Sequence, residues 1–343
     1  MKKVLLREGE PDCLPFYEFG VDAEIAQAII NKPCNTIESS IEFNLKMGYD
    51  YASASIPFFY PRDNMLATAD TAPLSKERRV FLDANKGMIE NRKDFDAYPW
   101  PPMPDDPAHI VNAYAAAIPS GMKVLVGVPG GMLENAMWLM GYVPFSYAIH
   151  DDEQLVWDLF EKIGNDFTRA LKLCLQKADI GKIGGLMMGD DMGFSHSTMI
   201  SPELMRKYVF PWQKKLVAVS HEYELPFILH SCGNIDSIMD DLIDYVGIDA
   251  KHSFEDKIMP VAEVKKRYGK RVAILGGVDM GMLASGSAGE VYDYTVRLID
   301  VCAPGGGFAL GSGNSVSNYV PPENYFAMLD AGWAWDGYGK QSL

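Results

Sequence analysis

Cysteine is scarce in this chain, and its few cysteines are badly placed for disulfides. The 343 residues contain five of them, an odd number at wide spacing: Cys13, Cys34, Cys174, Cys232 and Cys302. Disulfide frameworks need even, closely spaced sets, so we expect reduced thiols and a cytoplasmic location. The first residues reach charge and Pro11 too early for a secretory signal, and no apolar run approaches transmembrane length, so no membrane segment is expected.

Positive charge is also in short supply. Lys and Arg number 31 against 46 Asp and Glu, which gives a net charge of −15. This balance argues against binding to nucleic acid or to anionic membranes, and against a strongly anionic substrate unless a local basic pocket exists. No G-x-G-x-x-G or P-loop motif opens a helix, which argues against a nucleotide-binding fold.

The chain does contain a repeating alternation of short apolar runs and helix-like segments. The predicted strands are 14–19, 50–56, 123–128, 184–189, 226–231, 248–253, 272–278 and 307–311. The predicted helices are 152–178, 201–223, 235–246, 260–268, 288–302 and 322–334. Strand followed by helix indicates a parallel sheet, and eight strands favour a single-domain (β/α)₈ barrel of the TIM type over residues 1–343.

Residues 57–122 interrupt this alternation between the second and third predicted strands. They are rich in Pro and Asp, most of all around Trp100. We interpret them as an insertion, which is either an exposed cap without function or a lid or partner platform over the barrel mouth. Trp100 is then either a packing anchor or a substrate contact.

Polar side chains follow the predicted strands at one end of the barrel, where such folds carry their chemistry. The sequence HSCGN at 230–234 places an imidazole and a thiol on one face of a strand end. The other candidates are Asp190 and Asp191 after the fourth strand, His252 and Glu255 after the sixth, Asp279 after the seventh and Asn314 after the eighth. Adjacent aspartates also cap helices, so a structural role for this pair stays open.

Two chemistries fit these residues. His230, Cys232 and Glu255 offer the nitrogen, sulfur and oxygen ligands of a catalytic zinc site with an open fourth position. Alternatively, His230 or His252 acts as a proton donor that Asp190 or Asp191 orients.

Several motifs together resemble the uroporphyrinogen decarboxylase superfamily, and within it the corrinoid-dependent methyltransferases. They are GDD at 189–191, ISPE at 200–203, HSCGN at 230–234, GGVD at 276–279, GGFALGSG at 306–313 and PEN at 322–324. The resemblance implies a (β/α)₈ barrel with its pocket at the carboxyl ends of the strands. The decarboxylases carry an arginine-containing segment near the N-terminus that grips the acidic tetrapyrrole, whereas Arg7 is the only arginine before Tyr60 here.

The thiol-activating methyltransferases of the superfamily resemble the chain at His230 and Cys232, with the carboxylate ligand at Glu255. Their further cysteine would fall where this chain has Asn314. The segment 249–256 and the sequence GNSV at 313–316 look instead like the O-demethylase group, which takes a methyl group from a methoxylated aromatic compound or another small donor.

This resemblance implies transfer of the methyl group to the cobalt of a corrinoid (cobalamin) cofactor, which a separate corrinoid protein carries. His230 with Asp190 or Asp191 would then assist the leaving group or bind metal, while His252, Asp279 and Asn314 position the reactants. Apolar walls for an aromatic ring are expected from Phe194, Trp100 and Tyr319. A decarboxylase, a methylcobalamin:thiol methyltransferase and a ligand-binding barrel without catalysis remain the alternatives, and the sequence leaves open whether the chain forms a homo-oligomer.

Overall fold

The computed structural model describes residues 1–75, 78–335 and 337. Its strands are β1 (Tyr51–Ser55), β2 (Met65–Ala69), β3 (Arg78–Leu82), β4 (Lys123–Gly127), β5 (Ile183–Gly189), β6 (Phe227–His230), β7 (Ala250–His252), β8 (Ala273–Leu275) and β9 (Phe308–Ala309). Its α-helices are α1 (Lys2–Leu5), α2 (Ala23–Ile30), α3 (Ile37–Lys46), α4 (Arg92–Ala97), α5 (His109–Ala117), α6 (Met132–Met140), α7 (Tyr142–Asp151), α8 (Glu153–Lys177), α9 (Pro202–Leu204), α10 (Phe210–Glu222), α11 (Val261–Tyr268), α12 (Met280–Ser285), α13 (Ala288–Cys302) and α14 (Pro322–Ala334).

Seven of these strands form one parallel sheet in the order β1-β4-β5-β6-β7-β8-β9. The strands are short and almost wholly buried, as expected for a sheet that is covered on both faces. In the register, His230 lies opposite both Gly189 and His252. Because all the strands run the same way, the polar residues that follow them meet at one edge of the sheet.

The first predicted strand is reduced to a single parallel bridge. Phe16 pairs with Leu310, and the Tyr17 backbone N–H donates to the Leu310 carbonyl at 2.7 Å. Within the described residues, no backbone hydrogen bond joins this segment to β1. The Tyr51 hydroxyl fills that role, because it donates to the Glu18 carbonyl and accepts the Glu18 N–H, both at 2.8 Å. The fold is therefore a curled seven-stranded α/β sheet of the TIM type, where the sequence predicted eight strands.

The helices that carry strong capping signals lie where the sequence predicts them. Helices α13 and α14 have the predicted bounds, and α13 begins at a capping box formed by Ser287 and Glu290. The predicted helix 201–223 consists of α9, a π-helical turn at Met205–Val209 and α10. The predicted helix 235–246 contains a 3₁₀ turn at Asp236–Ile238 and a π-helix at Asp241–Val246, and a further 3₁₀ turn at Ile180–Lys182 precedes β5.

The predicted insertion 57–122 divides into two parts. Helix α5 packs against β1 and β4, so it belongs to the helical layer around the sheet. The antiparallel hairpin of β2 and β3 is exposed along both strands. Trp100 packs edge-on against Phe95 and Tyr60, and its indole N–H donates to the Phe95 carbonyl at 3.2 Å. This setting is that of a packing anchor. Among the described helices, none combines the length and apolar character needed to cross a membrane.

Candidate functional site

Two histidines lie side by side at the ends of β6 and β7. The Nδ1 atoms of His230 and His252 are 2.8 Å apart, and both side chains are buried. The ring of Phe19 stacks on His230 with 4.0 Å between centroids. Burial lowers the pKa of His230, and burial together with the His230 ring lowers that of His252 well below its usual range. Both imidazoles are therefore neutral near pH 7.

The hydrogen bonds of this pair fix its tautomers. His252 Nε2 lies 3.2 Å from the Ser312 carbonyl oxygen, which can only accept, so Nε2 carries the proton. The Nδ1 atom of neutral His252 must then accept, and His230 Nδ1 donates to it. This leaves a lone pair on His230 Nε2, which lies 3.3 Å from the Cys232 Sγ. In this state His230 is suited to bind a metal or accept a proton, and not to donate one.

The thiol of Cys232 is the centre of a polar cluster. Its Sγ accepts from the Asn314 side-chain amide at 3.2 Å, and the Ser253 hydroxyl lies 3.7 Å away. The Asp191 carboxylate accepts the Cys232 backbone N–H at 2.8 Å. Burial and the Asp191 charge raise the pKa of this thiol to about 12, so a thiolate there needs a cation beside it.

Asp191, His230 and Cys232 bring three potential ligand atoms within 4.8 Å of one another. An imidazole nitrogen, a sulfur and a carboxylate oxygen form a donor set that suits zinc with one open position. The sequence prediction assigned the carboxylate to Glu255 instead. Glu255 lies outside this cluster and accepts the Gly233 N–H in a long contact of 3.4 Å.

Asp190 has a different environment from its neighbour. Its carboxylate is fully buried and accepts the backbone N–H groups of Met132, Leu133 and Glu134 at 2.9, 3.3 and 3.0 Å. The side-chain amide of Gln213 donates to it at 2.8 Å. Asp190 therefore caps α6, whose own N-cap residue is a glycine without a side chain. Burial still raises its pKa to about 6. Asp190 therefore has the structural role that the sequence left open. Its carboxylate oxygens are hydrogen-bonded to α6 and Gln213, and not to His230.

A pocket of about 410 Å³ lies beside the cluster. Asp279, Asn314 and Tyr319, three of the five predicted substrate contacts, line it. Arg79 from the hairpin, Lys257 and Glu255 complete its charged lining, so the mouth carries both signs of charge. Asp279 also caps α12 through the backbone N–H groups of residues 281 and 282. We call this cavity the mouth pocket.

The other two predicted contacts lie elsewhere. Phe194 is 63% exposed on the loop that follows β5, where its carbonyl accepts the Asn234 N–H. Trp100 belongs to the aromatic cluster described above and does not line the mouth pocket. The sequence placed both residues by their aromatic character alone, which does not distinguish packing from binding.

Sequence reasoning passed over two buried ionisable groups. The Glu18 carboxyl accepts from the backbone N–H of Ser312 at 2.7 Å and is hydrogen-bonded to its hydroxyl, and burial raises its pKa to about 8. Lys251 is 3% exposed and adjoins His252 on β7. A charged residue inside an apolar strand was the available signal in both cases. Ser312 links Glu18 to His252 and so connects the first of these groups to the histidine pair.

Solved structures resemble the whole chain at low sequence identity. A methyltransferase from Methanosarcina mazei is 14% identical with a TM-score of 0.68, and the match covers 96% of each chain. A GH5_18 protein from Streptomyces cattleya in complex with Manb1-4GlcNAc is 11% identical with a TM-score of 0.47, over 94% of this chain and 81% of that one. The first likeness shows that the two chains share a fold.

Comparison in sequence gives a narrower result. No curated protein matches the chain. The family model for uroporphyrinogen decarboxylase (URO-D) matches residues 89–335, which include all the residues of the Cys232 cluster. The chain therefore belongs to the uroporphyrinogen decarboxylase family.

Proposed function

We propose that this chain is a methyltransferase that takes a methyl group from a methoxylated aromatic compound and passes it to the cobalt of a separate corrinoid protein. The observation that carries the proposal is the cluster of Asp191, His230 and Cys232 beside the mouth pocket. The family and the fold shared with the Methanosarcina mazei methyltransferase support it. Asn314 favours an ether donor over a thiol acceptor, because the thiol-activating members carry a further cysteine at this position.

The reaction breaks the bond between methyl carbon and ether oxygen and forms a bond between that carbon and the partner's Co(I). It leaves a phenolate, whose conjugate acid has a pKa near ~10, so the oxygen needs a proton or a Lewis acid to leave at neutral pH. Zinc held by Asp191, His230 and Cys232 would supply that Lewis acid.

The residues of the chain prepare this site in two ways. His252 fixes the tautomer of His230 and so holds the Nε2 lone pair toward the cluster. Asn314 donates to the sulfur of Cys232 from the side that faces the mouth pocket, which stabilises negative charge on that sulfur. Asp279 and Tyr319 on the pocket wall would contact the donor ring.

The decarboxylase alternative requires an arginine near the N-terminus that binds the carboxylates of the tetrapyrrole. Arg7 donates to the carbonyl of Asp249, the residue that precedes β7. This places the guanidinium at the amino ends of the strands, opposite the cluster. The N-terminal segment therefore offers no arginine to a tetrapyrrole carboxylate at the mouth.

The test mixes the purified chain with a reduced corrinoid protein and a panel of methoxylated phenols, methylamines and betaines. We expect the cobalt absorbance to shift to that of methyl-Co(III) with a methoxylated aromatic donor. Cys232→Ser should abolish the shift and lower the zinc content, whereas Cys13→Ser, which changes an exposed thiol, should not. Absence of any shift across the panel would overturn the proposal, and a zinc-free active enzyme would overturn its metal.

A further inference from the structure

Ser312 is the centre of a buried hydrogen-bond network that joins the first segment of the chain to the Cys232 cluster. It lies fully buried in the loop that follows β9. Its backbone N–H donates to Glu18 Oε1 at 2.7 Å, and its carbonyl accepts from His252 Nε2 at 3.2 Å. Its hydroxyl Oγ contacts two oxygens, Glu18 Oε2 and the backbone carbonyl oxygen of Asn314.

The two contacts of the Ser312 hydroxyl determine where a proton lies. A serine hydroxyl has one hydrogen to donate, and the Asn314 carbonyl oxygen can only accept. If Glu18 were ionised, its Oε2 would also only accept, and one of the two oxygens would have no hydrogen between it and the Ser312 Oγ. If Glu18 is protonated, the acid donates to Ser312 and Ser312 donates to Asn314. Buried acceptors without a donor are costly, so the second arrangement is the stable one.

The surroundings of Glu18 favour the neutral acid as well. The side chain is 3% exposed, and its two partners on Ser312 carry no charge. Burial raises the pKa of Glu18 to about 8. The titratable groups that face it are four buried tyrosine hydroxyls, which burial keeps neutral by raising their pKa: Tyr17 on the same segment, Tyr49 and Tyr51 at β1, and Tyr325 on α14.

We propose that Glu18 is a positioning residue, which as a neutral acid holds the Ser312 hydroxyl on the Asn314 carbonyl. This contact fixes the backbone from which the Asn314 amide reaches Cys232. The side chain of Asn314 is held at its other end, because its Oδ1 accepts the Ser315 backbone N–H at 2.8 Å and so leaves Nδ2 for the Cys232 sulfur at 3.2 Å. When Glu18 loses its proton, the Ser312 hydrogen turns to the carboxylate and the Asn314 carbonyl loses its donor.

The first experiment locates the proton in the purified chain, without metal, corrinoid or methyl donor. Infrared spectra of the native protein and of Glu18→Gln are compared on both sides of pH 8. We expect a carboxylic acid band in the native protein that Glu18→Gln lacks and that disappears as the pH rises through about 8. The acid bands of Glu134 and Asp190, whose pKa burial also raises, occur in both proteins and cancel. A difference spectrum without this band would overturn the proposal.

The second experiment follows the Asn314 side-chain amide by ¹H–¹⁵N NMR, with its signal assigned by its loss in Asn314→Asp. In the native protein this signal should shift as the pH rises through about 8. In Glu18→Gln the shift should be absent, because the glutamine amide donates to the Ser312 hydroxyl at every pH. Lys251 also has a pKa of about 8, but any shift that it causes appears in both proteins. The same shift in both proteins would show that Glu18 does not position Asn314.

The third experiment measures kcat and rests on the proposed function, which the first two do not. Ser312→Ala retains the backbone contacts to Glu18 and His252 but has no hydroxyl. It should lower kcat about 3- to 10-fold below pH 8, the effect of one lost hydrogen bond, and the native protein should lose the same factor above pH 8. Glu18→Gln should show neither loss. Thr295→Ala, which removes an equally buried hydroxyl bonded to the Val291 carbonyl, is the matched control and should leave kcat unchanged.

The outcomes separate this inference from the proposed function. A loss of kcat above pH 8 in Ser312→Ala as large as that in the native protein would refute the hydroxyl as the link. Absence of methyl transfer in the native protein would end the proposed function, and the infrared and NMR results would still decide the place of the proton.

Discussion

His230 and His252 face each other through their Nδ1 atoms at 2.8 Å, and the Ser312 carbonyl at the far side of His252 sets the direction of that hydrogen bond. The two residues are opposite each other in the register of β6 and β7. The sheet itself therefore holds the second histidine behind the first. A ligand imidazole commonly needs such a partner to fix its tautomer.

His252→Phe should remove this control and leave the His230 ring in place. We expect zinc affinity and the rate of methyl transfer each to fall about 10- to 100-fold, the usual effect of losing a partner behind a metal ligand. The measurements are zinc content after dialysis against a chelator, and kcat. His109→Gln, which changes an exposed histidine on α5, is the matched control and should change neither. Full zinc retention in His252→Phe would contradict the tautomer argument.

Asp190 and Asp191 should separate into a structural and a functional residue. Asp190→Ala leaves three N–H groups of α6 and the Gln213 amide without their acceptor, so the free energy of unfolding should fall by about 2–4 kcal/mol. Asp191→Ala should change it by less than about 1 kcal/mol, because that side chain is half-exposed, but should release zinc. Urea denaturation and metal analysis give both answers. The reverse pattern would exchange the two roles.

Glu18 should make the stability of the fold depend on pH. Its pKa in the folded chain, about 8, lies above the usual 4.5, so the unfolded chain ionises first as pH rises. Stability present below pH 4.5 is then lost progressively up to pH 8, at a slope on the order of 1 kcal/mol per pH unit. In Glu18→Gln this part of the slope should vanish. Urea midpoints from pH 5 to 8 measure the difference between the two proteins, and identical slopes would show that Glu18 is ionised in the folded state.

Asn314→Cys should move the cluster toward a tighter metal site. The new thiol would stand beside Cys232, where the amide now donates at 3.2 Å, and a second sulfur ligand should raise zinc affinity by at least about tenfold. The charge-transfer absorption of the Co²⁺-substituted protein counts thiolate ligands. We expect one in the native chain and two in the variant, together with slower demethylation of ether donors. An unchanged spectrum would place residue 314 outside bonding distance of the metal.

Trp100→Ala should lower the stability of the fold, whereas Tyr319→Ala should raise the KM for the donor. Trp100 packs against Phe95 and Tyr60, so its removal should cost about 3 kcal/mol of stability and leave the KM for the donor unchanged. Tyr319 is 40% exposed and lines the mouth pocket, so its removal should raise the KM with little effect on stability. Thermal denaturation and steady-state kinetics on both variants separate the cases. A raised KM in Trp100→Ala alone would restore it as a donor contact.

Local signals in the sequence predicted that His230 and Cys232 would lie close together, whereas contacts between distant parts of the chain set the surroundings of Asp190 and Glu18. The period of two along a strand was enough to place His230 and Cys232 on one face, and the capping box at Ser287 was enough to fix the start of α13. Asp190 finds its partners on α6, up to 58 residues earlier in the chain. Glu18 meets Ser312 across 294 residues. No spacing in the sequence indicates such pairs, and for the same reason the sequence assigned the carboxylate beside Cys232 to Glu255, whereas the structure brings Asp191 there.

The join between the first segment and β1 has a consequence for the native-state motions of the sheet. In a ladder, backbone carbonyls protect the amides that donate to them, but here the Tyr51 hydroxyl is the bridging group, and the Glu18 N–H depends on it. The Glu18 amide should therefore exchange with deuterium sooner than the amides of β5 and β6. Tyr51→Phe should accelerate that exchange further, and the sheet should begin to come apart at this edge.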